Sequence, residues 1–210
     1  MPPGGLPRNK GIRSVVTPKR VVVIASGETE RRALPRLLSP LRGQGIALRE
    51  VLVPPRHMAL TVDMAEKLIK AAWYANPSEP PAKFVVLVDV DRSTPEDVVG
   101  PIRSALPGRL SGIGADVLVA YAQQHLEAWY FADSQNLRAY LRRALGSVDA
   151  SAPDGIEDPK RHLMGLLAER SYTARISEEI AASLDASTIS GRSPSFRRFV
   201  AAVRNGTAAG

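Results

Sequence analysis

Lys83-Phe-Val-Val-Leu-Val-Asp-Val-Asp91 decides how the chain is read. Five consecutive apolar residues, Phe84 to Val88, mark a strand buried on both faces, and such strands belong to parallel sheets covered by helices. The run ends in two carboxylates. Residues i and i+2 of a strand share a face, so Asp89 and Asp91 are expected side by side, repelling each other until a proton or a cation intervenes. A hard divalent ion held by oxygen ligands suits that arrangement. The plain structural alternative is that Asp89 ends the strand and Asp91 caps the next helix.

Working outward, Val21 to Ala25 reads as another buried strand, Gly27 as a turn, and Glu28 to Leu41 as a helix with Ala33, Leu34, Leu37, Leu38 and Leu41 on one face. Ile46 to Val53 is a second strand stopped by Pro54-Pro55. Asp63 with Glu66 three residues on reads as a capping pair for a helix through Ala75. A helix over Pro95 to Leu106 and a strand over Ala115 to Ala120 follow the central run. Strands alternating with helices predict a layered α/β fold with a parallel sheet. In such sheets ligands bind beyond the carboxyl ends of the strands, where Ser26 to Glu30, Asp89 with Asp91, and Gln123 to Glu127 should gather.

After Glu127 the pattern becomes helical, over Leu126 to Asp133 and Ser134 to Leu145. Asp158-Pro159 and Ser193-Pro194 each read as N-cap and first residue of a later helix, the last stopping at Asn205-Gly206. Trp129 shares helical spacing with Leu126 and Ala132, which predicts a core position. The expected organisation is a disordered basic tail over 1–19, an α/β core over 20–132, and a helical C-terminal lobe over 133–210 packed on it.

Composition narrows the chemistry. The 210 residues include no cysteine and three scattered histidines, His57, His125 and His162, which excludes disulfides, thiol nucleophiles and cysteine-based zinc sites. A resident metal would be held by carboxylates. The net charge of +7 is concentrated at the ends: five basic and no acidic residues lie in 1–20, and four arginines with no acid in 186–210, leaving 21–185 at −2. Such ends can grip phosphates or keep a protein in solution. No run is long and apolar enough for a membrane span, and the opening residues lack the apolar stretch of a secretory leader, so cytoplasmic residence is expected.

Taken in order, five pieces resemble a bacterial family, domain of unknown function 4276, which is TOPRIM-like. They are Gly27-Glu-Thr-Glu-Arg-Arg-Ala-Leu-Pro-Arg-Leu-Leu38, the apolar strand ending Asp89-Val-Asp91, Leu126-Glu-Ala-Trp-Tyr-Phe-Ala-Asp133, Asp158-Pro-Lys160 and Ser193-Pro-Ser-Phe-Arg-Arg-Phe199. The resemblance spans about Val21 to Val203. It implies the core found in topoisomerases, primases and the nucleases fused to or paired with ATPases in phage defence.

What the resemblance implies is a Mg²⁺- or Mn²⁺-dependent endonuclease acting on nucleic acid, DNA before RNA, with an ATPase partner and no membrane role. Asp89, Asp91, Glu30 and Glu127 would be its metal ligands and, with Glu28, its catalytic acids. Arg56, Arg92 and Lys160 would bind substrate phosphates. The TOPRIM pattern opens with a Glu, whereas this chain has Ser26-Gly27-Glu28-Thr29-Glu30. Glu30 matches the second acid, and Glu28 or Glu127 is left to replace the first.

A second reading therefore stands beside the enzyme: a catalytically degenerate TOPRIM-like module that binds nucleic acid or a partner ATPase. A haloacid-dehalogenase-like phosphatase is disfavoured by Ser93 after the Asp-x-Asp pair and by the lack of a later Gly-Asp-x-x-x-Asp. A sugar-nucleotide transferase lacks an accompanying nucleotide-binding feature. The first turn has one glycine and no phosphate-loop lysine, which speaks against dinucleotide binding and NTP hydrolysis. Oligomeric state is left open, a homo-oligomer included.

Overall fold

The computed structural model describes residues 19–44, 46–146 and 149–204. Residues 1–18 and the expected stop at Asn205-Gly206 lie outside them. Four strands, β1 (Lys19–Ile24), β2 (Ile46–Leu52), β3 (Lys83–Asp89) and β4 (Asp116–Ala122), form one parallel sheet in the order β2-β1-β3-β4. The alternating pattern thus yields the expected α/β architecture, a parallel sheet flanked by helices. Lys19, counted with the tail in the sequence reading, already belongs to β1.

Helices α1 (Glu28–Leu37), α2 (Val62–Tyr74) and α3 (Pro95–Arg109) connect the strands. Val21, Val23 and Ala25 pack with Leu34 and Leu37 of α1, whereas Val22 and Ile24 pack with Ile69 of α2 and Ile102 of α3. The period-2 alternation of β1 therefore feeds two cores, one per face. Because α1 covers one face and α2 with α3 the other, the connections leaving the adjacent strands β1 and β3 turn to opposite faces, and the chain reverses its winding between them. That is the switch point at which parallel sheets open a crevice.

Beyond β4 the described residues carry six α-helices: α4 (Glu127–Ala132), α5 (Ser134–Leu141), α6 (Pro159–Leu166), α7 (Ala174–Ser183), α8 (Ala186–Arg192) and α9 (Pro194–Arg204). Their apolar residues join the α1 face of the sheet, with Trp129, Tyr130, Phe131, Phe196 and Phe199 fully buried there. Trp129 stacks on Phe199 at 5.4 Å and meets Phe196 edge-on at 4.9 Å. Such pairs contribute about 0.5–1.5 kcal/mol each beyond area burial. Lys83 is buried at the start of β3 and donates from Nζ to the Ala202 carbonyl at 2.9 Å, fastening α9 to the sheet.

Several local expectations change. The first helix ends at Leu37 and continues as a 3-10 segment, Ser39–Gln44. The N-cap of α2 is Thr61, whose hydroxyl accepts from Met64 N; Asp63 and Glu66 bind Arg109 instead, and Glu66 also binds Lys70. Thr94, not Asp91, caps α3. The caps expected at Asp158 and Ser193 are observed: Asp158 accepts from Arg161 N at 3.2 Å and Ser193 from Phe196 N at 3.1 Å. Helices α7 and α8 had no counterpart in the sequence reading.

Candidate active site

Three carboxylates reach the carboxyl edge of the sheet from separate elements. Glu30 lies in the first turn of α1, Asp89 ends β3, and Glu127 opens α4 just beyond β4. Glu30 is 8% exposed and Glu127 2%, so neither is a solvated surface charge. Asp89 is half-buried between the strand ends. Its carboxyl is pushed well above the usual carboxylate range, first by burial and then by the charges of Glu30 and Glu127, with Lys160 opposing and Asp91 adding least. Glu30 is raised as well, by burial and by Glu127, against its own and Gly27's backbone N–H groups and Lys160.

Crowded, desolvated carboxylates are stable only when something neutralises them. Lys160 is the cation that acts on both Glu30 and Asp89. It stands at the second position of α6, whose N-cap Asp158 has a left-handed backbone, φ 46°. Gly27 borders the site: a Cβ there would stand 3.4 Å from Glu30 Oε2.

Asp91 departs from the expected pairing with Asp89. The strand ends at Asp89, and Asp91 is left-handed, φ 53°, so the same-face rule for extended chain no longer governs it. Asp91 is 63% exposed and lies 3.7 Å from His125 Nε2. Its N–H donates to the carbonyl of Gln124, itself at φ 61°, while Val90 N donates to Ala122. The β3–β4 ladder is thereby carried past the strands by two residues in a conformation that is costly without glycine. His125 Nδ1 is buried without a hydrogen-bond partner.

Behind Glu127 lies a polar knot that sequence reasoning missed. Tyr130 Oη and Ser177 Oγ are 2.5 Å apart in the core. The Tyr172 hydroxyl is buried beside Ser177 and Glu127 yet meets hydrogen-bond geometry with neither. Burial and the neighbouring Tyr130 and Glu127 hold its pKa far above the usual phenol value. No periodicity or motif marks Tyr172, which sits in the loop before α7.

The remaining expected site residues are spread around this centre. Glu28 is turned to the surface, where it binds Arg31 at 2.7 Å and Arg32 at 3.2 Å. Arg56, in the loop after β2, lines a cleft of about 700 Å³ with Ser26, Gly27 and Glu28. Arg92 lines a second cleft of about 520 Å³ with Glu157, Asp158, Arg161, His162 and Gly165. The oxygen-only donors Glu30, Asp89 and Glu127 fit a hard divalent cation in charge and chemistry. As they stand, no group of three or more His, Asp or Glu side chains among the described residues is closed into a metal-holding set.

The family model described as Domain of unknown function (DUF4276) matches residues 26–204, the stretch that carries all three carboxylates. The chain belongs to this family. Two solved structures similar to this DUF4276 chain are C-terminal regions of OLD proteins. That of Burkholderia pseudomallei is 19% identical over 89% of this chain and 97% of its own, with a TM-score of 0.49. That of Xanthomonas campestris pv. campestris is 18% identical over 89% and 95%, with a TM-score of 0.48. Likeness at this level transfers no residue role. No curated protein sequence matches the DUF4276 chain.

Proposed function

We propose that the chain is a TOPRIM-like, divalent-metal-dependent nuclease that hydrolyses phosphodiester bonds, working in the bacterial cytoplasm with an ATPase partner in defence against phage. The observation that carries the reaction class is the convergence of Glu30, Asp89 and Glu127 at the switch point of the sheet, with Asp89 raised by its two neighbours. The defence role and the ATPase partner rest on the family resemblance alone.

In this reading Asp89, Glu30 and Glu127, with Asp91, would hold Mg²⁺ or Mn²⁺. The bound ion would polarise a water and offset charge on the leaving oxygen. The chain's own contribution is to set the donors on rigid elements, to keep water from the buried sides of Glu30 and Glu127, and to present Lys160 to a substrate phosphate. Glu127 is the carboxylate best placed to take the role of the missing leading Glu, because Glu28 is committed to Arg31 and Arg32.

Ser26 favours the second reading, a degenerate binding module. It stands at the end of the first strand, where the TOPRIM pattern has a Glu. Plasmid, single-stranded DNA and total RNA are incubated with wild type, Asp89→Ala and Asp91→Ala in Mg²⁺ and in Mn²⁺. Cleavage lost in Asp89→Ala establishes the enzyme. Metal-independent nucleic-acid binding without cleavage, with and without an added ATPase partner, establishes the module.

A further inference from the structure

The cleft of about 700 Å³ beside the carboxylates is lined by Arg31 and Arg32 of α1, Arg56, His57 and Met58 of the loop after β2, and Arg175 at the start of α7. Four arginines face one glutamate, Glu28, an excess of three positive charges on its walls. We infer that this cleft binds a single strand of nucleic acid, its phosphates held by Arg56, Arg175 and Arg31 and a base laid on Met58 and Pro55. The inference deepens the nuclease reading, since it names the form of the substrate and the path by which the strand reaches the carboxylates.

The wall residues are available for the task. Arg56 makes no ion pair or hydrogen bond among the described residues, although carboxylates partner the other three arginines. Those partners are exposed pairs: Arg31 with Glu28, Arg32 with Glu28 and Glu178, and Arg175 with Glu179. Exposed pairs of this kind contribute only about 0–1 kcal/mol, so a phosphate replaces the carboxylate at small cost. Guanidinium groups also suit phosphate geometry better than ammonium groups do.

The loop itself is shaped for contact. His57 has a left-handed backbone, φ 68°, a turn conformation in which histidine is enriched, and it follows Pro54-Pro55. Met58 is 53% exposed, one of three large apolar side chains so placed among the described residues. Proteins that bind unpaired strands combine a positive groove with side chains on which the free faces of bases lie, most often aromatic; here Met58 and Pro55 offer the apolar surface. A duplex offers the loop only phosphates.

The cleft also shares two walls with the carboxylate site. Gly27 lines the cleft and touches the space of Glu30 Oε2. Thr173 lines it too, next in sequence to Tyr172, whose hydroxyl lies beside Glu127. A strand lying along the arginines would therefore run past Gly27 toward the carboxylates.

The test is fluorescence anisotropy with labelled oligothymidylate, oligouridylate and a duplex, in chelator so that no cleavage occurs. Arg56→Ala/Arg175→Ala is compared with wild type and with Arg103→Ala, an exposed arginine of α3 paired with Glu96 outside the cleft. The double variant is expected to bind single strands on the order of tenfold more weakly, with a salt slope shallower by about 0.7 per lost phosphate contact. Arg103→Ala should match wild type, and Met58→Ser should weaken single strands but not the duplex. The two single strands separate DNA from RNA. Single-strand binding within twofold of wild type in the double variant, absence of single-strand binding by wild type, or duplex binding as tight and as sensitive to Arg56→Ala/Arg175→Ala overturns the inference. Cleft-dependent binding without metal-dependent cleavage sinks the nuclease reading alone. Cleavage with unchanged KM in the double variant sinks the cleft alone.

Discussion

Trp129 donates its indole N–H to Ser195 Oγ at 2.8 Å inside the core, and Ser195 in turn is gripped by Asp154 through both its backbone N–H, 2.7 Å, and its hydroxyl, 3.0 Å. Ser193 Oγ donates to the same carboxylate at 2.6 Å. One acid thus satisfies the N-terminus of α9, where negative charge is favoured, and joins it to the helix that begins with Glu127. The Glu-Ala-Trp and Ser-Pro-Ser-Phe segments are two halves of one joint.

Ser195→Ala is expected to leave the Trp129 N–H buried and unpaired, at about 1–3 kcal/mol. Urea denaturation should show the loss as a lower midpoint with an unchanged m-value. An unchanged midpoint would mean that the joint contributes nothing.

Asp89→Asn replaces a crowded carboxyl beside Glu30 and Glu127 with a group that cannot ionise. The metal-free protein should gain about 0.5–2 kcal/mol, the usual return when a functional site is relieved, read as a Tm higher by about 2–4 °C per kcal/mol. Metal-dependent cleavage should vanish in the same variant. A fall in Tm would show that the ionised carboxylate is stabilising.

The raised pKa values of Asp89 and Glu30 give metal-free stability a definite slope with pH. Between the unfolded value near 4 and the raised folded values, the folded state holds protons that the unfolded chain has released. Stability is therefore full below about pH 4 from these two groups and declines as pH rises through their folded pKa values. Adding Mg²⁺ at neutral pH should recover stability by binding the folded state, roughly 2.7 kcal/mol at a hundred times its Kd. Melting curves across pH, with Asp89→Asn giving a flatter profile, check the sign.

Lys160 opposes the charge of both Glu30 and Asp89 from an exposed position. Lys160→Ala should tighten divalent-ion binding severalfold, since a competing cation worth about 0.3–1 kcal/mol is gone, while cleavage falls through the lost phosphate contact. Calorimetric titration of Mg²⁺ beside the cleavage rate reads the two effects separately. Both moving together would exclude the assigned role.

The sheet was legible because Val21 to Ala25 and Phe84 to Val88 are unbroken apolar runs, and burial on both faces needs no tertiary information to recognise. The caps at Asp158 and Ser193 were legible because proline fixes the next residue. Asp63 misled because Thr61 and Asp63 both precede apolar spacing, and the choice fell to Arg109, 46 residues away, which draws Asp63 outward. The same-face argument for Asp89 and Asp91 holds only for extended chain, which ends at Asp89, and the Gln124 carbonyl holds Asp91 in a turn. Glu127 could be suspected from its motif, whereas Tyr172, Ser177 and Arg175 come from a helical region with no chemical pattern and are brought in by packing alone.

The joint between Trp129 and Ser195 spans 66 residues. During synthesis the segment carrying Glu127 therefore leaves the ribosome well before its fastening partner exists. Until α9 has been made and folded back, the Trp129 N–H lacks its Ser195 partner, so the helix that begins with Glu127 is fastened only after those further residues are added. For a protein whose proposed chemistry is destructive to nucleic acid, late completion separates the time of making from the time of acting.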